Sequence, residues 1–211
     1  MIPDFDSYLK DFKDILTFLS KKYRWFDYIS PRRSMCNTEM FFITSYIRSI
    51  KPELVFESGV WWGRSTIIMA EILKRFLANS RLMSVSSSHK KSLDSFKDEY
   101  DNLDIVFGRG EDWSARPKKT SAILVIDGPK FKNWHVAAHL YERAMRNLRI
   151  NVIFQHDIAR DWGNFETFYQ RHMSKDYFID KLPKEFIDRY AKLDRGIEIP
   201  VIQNLGMIIK K

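Results

Sequence analysis

The stretch Val55-Phe56-Glu57-Ser58-Gly59-Val60-Trp61-Trp62-Gly63-Arg64-Ser65-Thr66 decides how this chain is read. It opens as an apolar strand that ends in a carboxylate, Glu57. Glycines follow at 59 and 63, and from Arg64 the apolar spacing becomes helical. A strand that bends at a glycine into a helix lets the backbone approach a ligand lying beyond the strand's carboxyl end. The unpaired N–H groups of the first helical turn face the same crevice. Gly63 lets the new helix pack closely on the strand. A carboxylate at this position would repel a diphosphate, so Glu57 favours a cationic or hydroxyl-bearing cofactor. That reading requires an open bend at Gly59 and a Glu57 that faces it.

Working outward, the pattern on the N-terminal side is helical. Phe5, Leu9, Phe12, Leu16 and Leu19 recur at steps of four and three, one apolar stripe. Asn37 or Thr38 is placed to cap a second helix with Met40, Ile43, Ile47 and Ile50 on one face, and Lys51-Pro52 ends it. On the C-terminal side strands and helices alternate. Strands are expected at 54–57, 81–85, 103–107, 122–126 and 151–154. Helices are expected at 64–77, 90–100, 134–146 and 165–173. Continuous apolar strands separated by helices imply a parallel sheet covered on both faces. Residues 177–182 and 205–210 read as two further strands with only a short helical stretch between them, hence a closing antiparallel pair. The expected architecture is α/β: a doubly wound, mostly parallel seven-stranded sheet with a C-terminal antiparallel pair. Residues 1–52 form a helical extension packed on the main domain, and residues 53–211 form that domain.

Composition limits the class. The chain has 211 residues, 45% apolar and 15% aromatic, enough for one well-buried domain. A single cysteine, Cys36, excludes an internal disulfide and fits a reducing compartment. With no secretory pattern at the N-terminus and no apolar run long enough for a bilayer, a cytoplasmic protein is expected. The net charge of +8 comes from basic pairs scattered through the sequence. It permits an anionic partner such as RNA or an acidic glycan but does not require one, and a solvated basic surface is the favoured explanation.

In a doubly wound sheet, ligands bind beyond the carboxyl ends of the strands. The residues there are Glu57, Ser86, Gly108 to Asp112, Asp127 to Lys130, and Gln155 to Asp157. At these positions the chain resembles class I S-adenosylmethionine-dependent methyltransferases, nearest the small catechol O-methyltransferase-like enzymes. The resemblance rests on Glu57 to Ser65, on Val125-Ile126-Asp127-Gly128-Pro129-Lys130 and on Val152-Ile153-Phe154-Gln155-His156-Asp157. It covers roughly residues 53–211 and implies the Rossmann-like fold of that superfamily. It also implies S-adenosylmethionine as cofactor and transfer of a methyl group to a hydroxyl of a small molecule or sugar.

Carried over by position, the resemblance puts Glu57, Gly59, Trp61, Gly63 and Ser65 along the methionine end of the cofactor. It puts Asp112 and Trp113 near the adenine, where Trp113 either stacks or anchors its loop. Asp127 belongs to the cofactor site and to catalysis. Lys130 is the expected base, with His156 as the alternative if Lys130 points outward. Asp127, His156 and Asp157 are the candidate ligands of a divalent ion. A metal lowers the pKa of an acceptor hydroxyl, and a lysine with depressed pKa accepts its proton. Imidazole in the ligand set suits transition metals better than magnesium. A plain turn at Asp127-Gly128-Pro129-Lys130 is the competing explanation.

One departure stands out. These enzymes carry an acid at the end of the second strand for the ribose hydroxyls, and here Ser86 occupies that place. A serine cannot make the charged two-point contact. Two other functions therefore stay open: a non-catalytic binding protein that keeps the fold, and an RNA methyltransferase suggested by the charge. His135 and His139 are four apart on a predicted helix and are read as structural.

Overall fold

The structure, a computed structural model, describes residues 2–27, 35–87, 91–109, 120–127, 149–157, 166–167, 177–194 and 205–210. The expected helices at 134–146 and 165–173 fall essentially outside these ranges, as do His135, His139, Lys130, Asp112 and Trp113.

Helices α1 (Phe5–Lys22) and α2 (Asn37–Ile50) precede strand β1 (Leu54–Ser58). There follow α3 (Arg64–Phe76), β2 (Arg81–Ser86), α4 (Lys91–Glu99) and β3 (Leu103–Phe107). Strands β4 (Ser121–Ile126), β5 (Arg149–Gln155) and β6 (Tyr177–Lys181) come next. Helix α5 (Lys184–Tyr190), a 3-10 turn at Ala191–Asp194 and β7 (Gly206–Lys210) complete the described chain.

The strands form one sheet in the order β3-β2-β1-β4-β5-β7-β6. Strands β1 to β5 pair in parallel, and β7 lies antiparallel between β5 and β6. The chain runs outward from β1 through β2 to β3, then returns to the other side of β1 at β4. The carboxyl ends of β1 and β4 therefore flank the topological switch point, where such sheets open a crevice. There the Asp127 N–H donates to the Ser58 carbonyl at 2.8 Å, continuing the β1–β4 ladder one step past the strands.

Burial follows the pattern that the sequence dictates. All five residues of β1 are buried, as expected for a central parallel strand. Helix α2 buries ten consecutive residues, Thr38 to Ile47, because it is enclosed on all sides. Its Phe42 and Tyr46 meet Phe154 of β5 at 6.1 and 5.7 Å between ring centroids. Its Phe41 meets Phe12 of α1 at 5.1 Å and Tyr190 of α5 at 4.9 Å. Alternation along β5 puts His156, two residues beyond Phe154, on the same side of the sheet as Phe154. The aromatic layer thus fixes the N-terminal turn of α2 over the carboxyl end of β5.

That turn is capped differently from the expected Asn37 or Thr38. Cys36 is the N-cap: its Sγ accepts from the Glu39 N–H at 3.5 Å, and Glu39 Oε2 accepts from the Cys36 N–H at 3.0 Å. The next two amides, of Asn37 and Thr38, donate to the Asp194 carboxylate, each at 2.6 Å. A capping acid 156 residues away along the chain leaves no local signature. Asp194→Ala is expected to lower the unfolding free energy by about 1–2 kcal/mol, the cost of a lost cap. Chemical denaturation of the full chain measures it, and an unchanged midpoint would contradict the capping role.

Candidate active site

The bend after β1 is built as the sequence suggests. Gly59 has φ 102°, and its N–H donates to the Val85 carbonyl at 3.0 Å, carrying the turn onto β2. Gly63, at φ 82°, is the N-cap of α3. Its role differs from close packing on the strand. A Cβ at Gly63 would lie 2.6 Å from Cε2 of Phe96 and 3.0 Å from Cδ2 of Leu93, so the glycine makes room for α4. The buried Phe96 ring and Leu93 side chain of α4 occupy the volume that a side chain would need.

Glu57 requires a correction. It was expected to face the cofactor, but it is fully buried, and its carboxylate accepts three side-chain hydroxyls. Ser65 donates to Oε1 at 2.6 Å, while Thr66 and Ser84 donate to Oε2 at 2.7 and 2.6 Å. Burial pushes the Glu57 carboxyl up from its usual range, and the three hydroxyls counter part of that shift. Glu57 therefore braces β1, β2 and the first turn of α3 from inside the protein, and the cationic-cofactor reading loses the carboxylate it required there. What supports that reading instead is the strand-end cluster of Asp127, His156 and Asp157. Ser65 is corrected with Glu57, since its hydroxyl points at Glu57 rather than at a ligand carboxylate. Ser86 is also interior: its hydroxyl donates to the Val60 carbonyl at 3.1 Å. No acid stands at the end of β2 in its place. Trp61 and Trp62, by contrast, remain 54% and 43% exposed beside the Gly59 bend.

The chemistry collects at the ends of β4 and β5. The backbone N–H of His156 donates to the Ile126 carbonyl at 2.8 Å, which sets His156 beside Asp127. Nδ1 of His156 lies 2.8 Å from Asp127 Oδ1 and 3.5 Å from Asp157 Oδ1. Asp157 adopts φ 61°, a left-handed conformation that aspartate tolerates better than most side chains. Asp127, His156 and Asp157 each offer a ligand atom, all within 4.8 Å of one another. The expected metal ligands are thus brought together.

Nε2 of His156 faces Glu39 Oε2 at 3.3 Å. Burial alone would push His156 down, but the carboxylates of Glu39 and Asp127 outweigh it and hold the imidazole well above its ordinary range. With a carboxylate at each nitrogen, His156 is not placed as an open base for a substrate hydroxyl, which corrects the alternative to Lys130. Sequence reading missed Glu39 altogether. Its one signal was a glutamate in the first turn of a helix, which a capping role already explains.

The sheet order, the antiparallel β7 and the switch point between β1 and β4 are those of the class I methyltransferase fold. An O-methyltransferase from Bacillus cereus, solved in complex with SAH, aligns over 100% of this chain and 98% of its own, with a TM-score of 0.64 and 14% identity. The O-methyltransferase TomG from Streptomyces achromogenes, involved in tomaymycin synthesis and solved with SAM, aligns over 93% of this chain and 89% of its own. Its TM-score is 0.62 and its identity 13%. An rRNA methylase from Streptococcus thermophilus aligns over 81% of this chain and 95% of its own, with a TM-score of 0.54 and 11% identity. At such identities the likeness establishes the fold, and the chemistry must be argued from the residues. No protein-family model matches the chain, and no curated protein matches its sequence. No helix among the described residues is long and apolar enough to cross a membrane.

Proposed function

We propose that the chain is an S-adenosylmethionine-dependent O-methyltransferase acting on a hydroxyl of a small molecule or glycan. The observation that carries this reading is the convergence of Asp127, His156 and Asp157 at the carboxyl ends of β4 and β5, beside the switch point of a methyltransferase sheet.

The donor set fits both groups that the fold implies. Three carboxylates, Glu39, Asp127 and Asp157, surround a single imidazole, so the cluster carries net negative charge and favours a cation beside it. A sulfonium is such a cation, and so is a divalent metal. When bound, the metal lowers the pKa of a coordinated acceptor hydroxyl. The residues that would hold it are Asp127, His156 and Asp157. The Gly59 bend supplies backbone free of side chain next to this cluster, while Trp61 and Trp62 offer an apolar wall. The protein's main task is to hold acceptor oxygen, methyl carbon and sulfur in line and to receive one proton. Lys130, three residues after Asp127, is the base that the resemblance supplies.

A second reading, a non-catalytic protein that binds through the same fold, is favoured by the inward turn of Glu57 and Ser86. Calorimetry with SAH separates the two. Saturable one-to-one binding, followed by methyl transfer to a panel of catechols, other phenols and glycans, supports the enzyme. No heat of binding at millimolar SAH would leave only the second reading. A cytoplasmic location and a small-molecule acceptor belong to the enzyme reading. An RNA acceptor would instead show binding that collapses with added salt.

A further inference from the structure

Glu39 is 1% exposed, and its Oε1 has no hydrogen-bond partner among the described residues. Its Oε2 serves the Cys36 amide and faces Nε2 of His156. A buried carboxylate with an unpaired oxygen is costly, and a helix cap alone does not call for burial this complete. The opposite ring nitrogen, Nδ1, looks toward Asp127 and Asp157. The two edges of His156 therefore have different surroundings: one carboxylate from α2 behind, and two strand-end carboxylates in front.

We propose that Glu39 is a positioning residue for a divalent transition-metal site. By accepting a hydrogen bond from Nε2–H of His156, it leaves Nδ1 as the nitrogen that gives up its proton to solvent on metal binding and joins Asp127 and Asp157 on the ion. Metal-bound histidines typically donate their second nitrogen to a carboxylate in this way, which fixes both tautomer and ring orientation. The donor set of one imidazole nitrogen and two carboxylates selects first-row transition ions over magnesium or calcium, which take oxygen ligands. Glu39 belongs to this centre because the Phe42 and Tyr46 contacts with Phe154 dock α2 over β5. The inference deepens the enzyme reading by specifying its metal, and it rests on that reading for the purpose of the ion.

The test is cobalt binding to the full-length wild-type protein, followed by visible absorption and calorimetry, with magnesium as the comparison and SAH titrated separately. Wild type is expected to bind Co2+ at least about tenfold more tightly than Mg2+, with a d–d spectrum that reports nitrogen ligation. Glu39→Ala is expected to weaken Co2+ about 10- to 100-fold and to alter that spectrum. Glu39→Gln keeps an acceptor for Nε2 and should restore most of the affinity. Because glutamine also keeps the cap on the Cys36 amide, Asp194→Ala is the control for helix capping. It uncaps the neighbouring Asn37 and Thr38 amides without facing His156, and should leave cobalt affinity unchanged. Magnesium bound as tightly as cobalt, a spectrum without nitrogen, or a Glu39→Ala protein matching wild type would each overturn the proposal. If Glu39→Ala fails to fold, the Glu39→Gln spectrum decides it: a neutral acceptor behind Nε2 should shift the cobalt bands, and bands identical to those of wild type would overturn the proposal. Cobalt binding as expected with no SAH binding would sink the enzyme reading alone and leave the metal site standing.

Discussion

Glu57→Ala is expected to lower the unfolding free energy by about 4 kcal/mol. Three buried hydroxyls, of Ser65, Thr66 and Ser84, lose their common acceptor at once. Each such group left without a partner costs about 1 kcal/mol or more, and the missing side chain adds a cavity. Glu57→Gln retains one carbonyl acceptor and should lose about half as much. Urea denaturation of the three proteins checks the order, and a Glu57→Ala protein within about 1 kcal/mol of wild type would contradict the brace.

The same residue makes a pH prediction with a definite sign. Its folded carboxyl is raised above the unfolded value. The stability linked to this protonation is fully present below the unfolded glutamate pKa of about 4 and fades as pH rises through the folded value. Glutamine does not titrate. The stability gap between wild type and Glu57→Gln should therefore narrow as the pH is raised from about 4. A gap that widens would mean a carboxyl held below its usual range instead.

The second large effect is expected at Gly63. Alanine there should cost about 3 kcal/mol, equivalent to a fall of roughly 10 °C in Tm for a chain of this length. Two independent terms contribute. A φ of 82° strains any residue with a Cβ, and that Cβ would lie 2.6 Å from Cε2 of Phe96, a ring only 1% exposed. The terms can be separated. Combining Gly63→Ala with Phe96→Leu should relieve part of the overlap and leave the backbone strain, giving a double mutant more stable than the sum of the single changes predicts. Strict additivity would show that Phe96 is not what Gly63 makes room for.

Much of the architecture was legible because it depends on local pattern. The run from Val55 to Thr66 reads as strand, bend and helix in both sequence and structure, since glycines at 59 and 63 with positive φ leave few alternatives. The order of β1 to β5 followed from apolar strands alternating with helical spacing. The side-chain directions at the site were less accessible. Glu57 looked like a ligand residue because strand-end acids face the crevice in the family that the chain resembles. Ser65 and Thr66, eight and nine positions on, together with Ser84 on the neighbouring strand, draw it inward instead. Those hydroxyls were visible in the sequence, but the register that aligns Glu57 with Ser84 was not. The Asp127–His156 pair was legible because both residues end adjacent strands. Glu39 was not, since nothing local to Asn37-Thr38-Glu39 announces that three aromatic rings will seat that turn over β5.

The docking of α2 also limits how this protein can be rebuilt. A chimera that exchanged residues 1–52 for the equivalent stretch of another methyltransferase-fold protein would keep every strand end and the entire crevice floor. It would nevertheless arrive without the carboxylate behind His156, unless the donor happened to supply one. For the proposed metal site, the affinity of such a hybrid for its ion should follow the donor of the N-terminal segment, while the choice of ion stays with Asp127, His156 and Asp157.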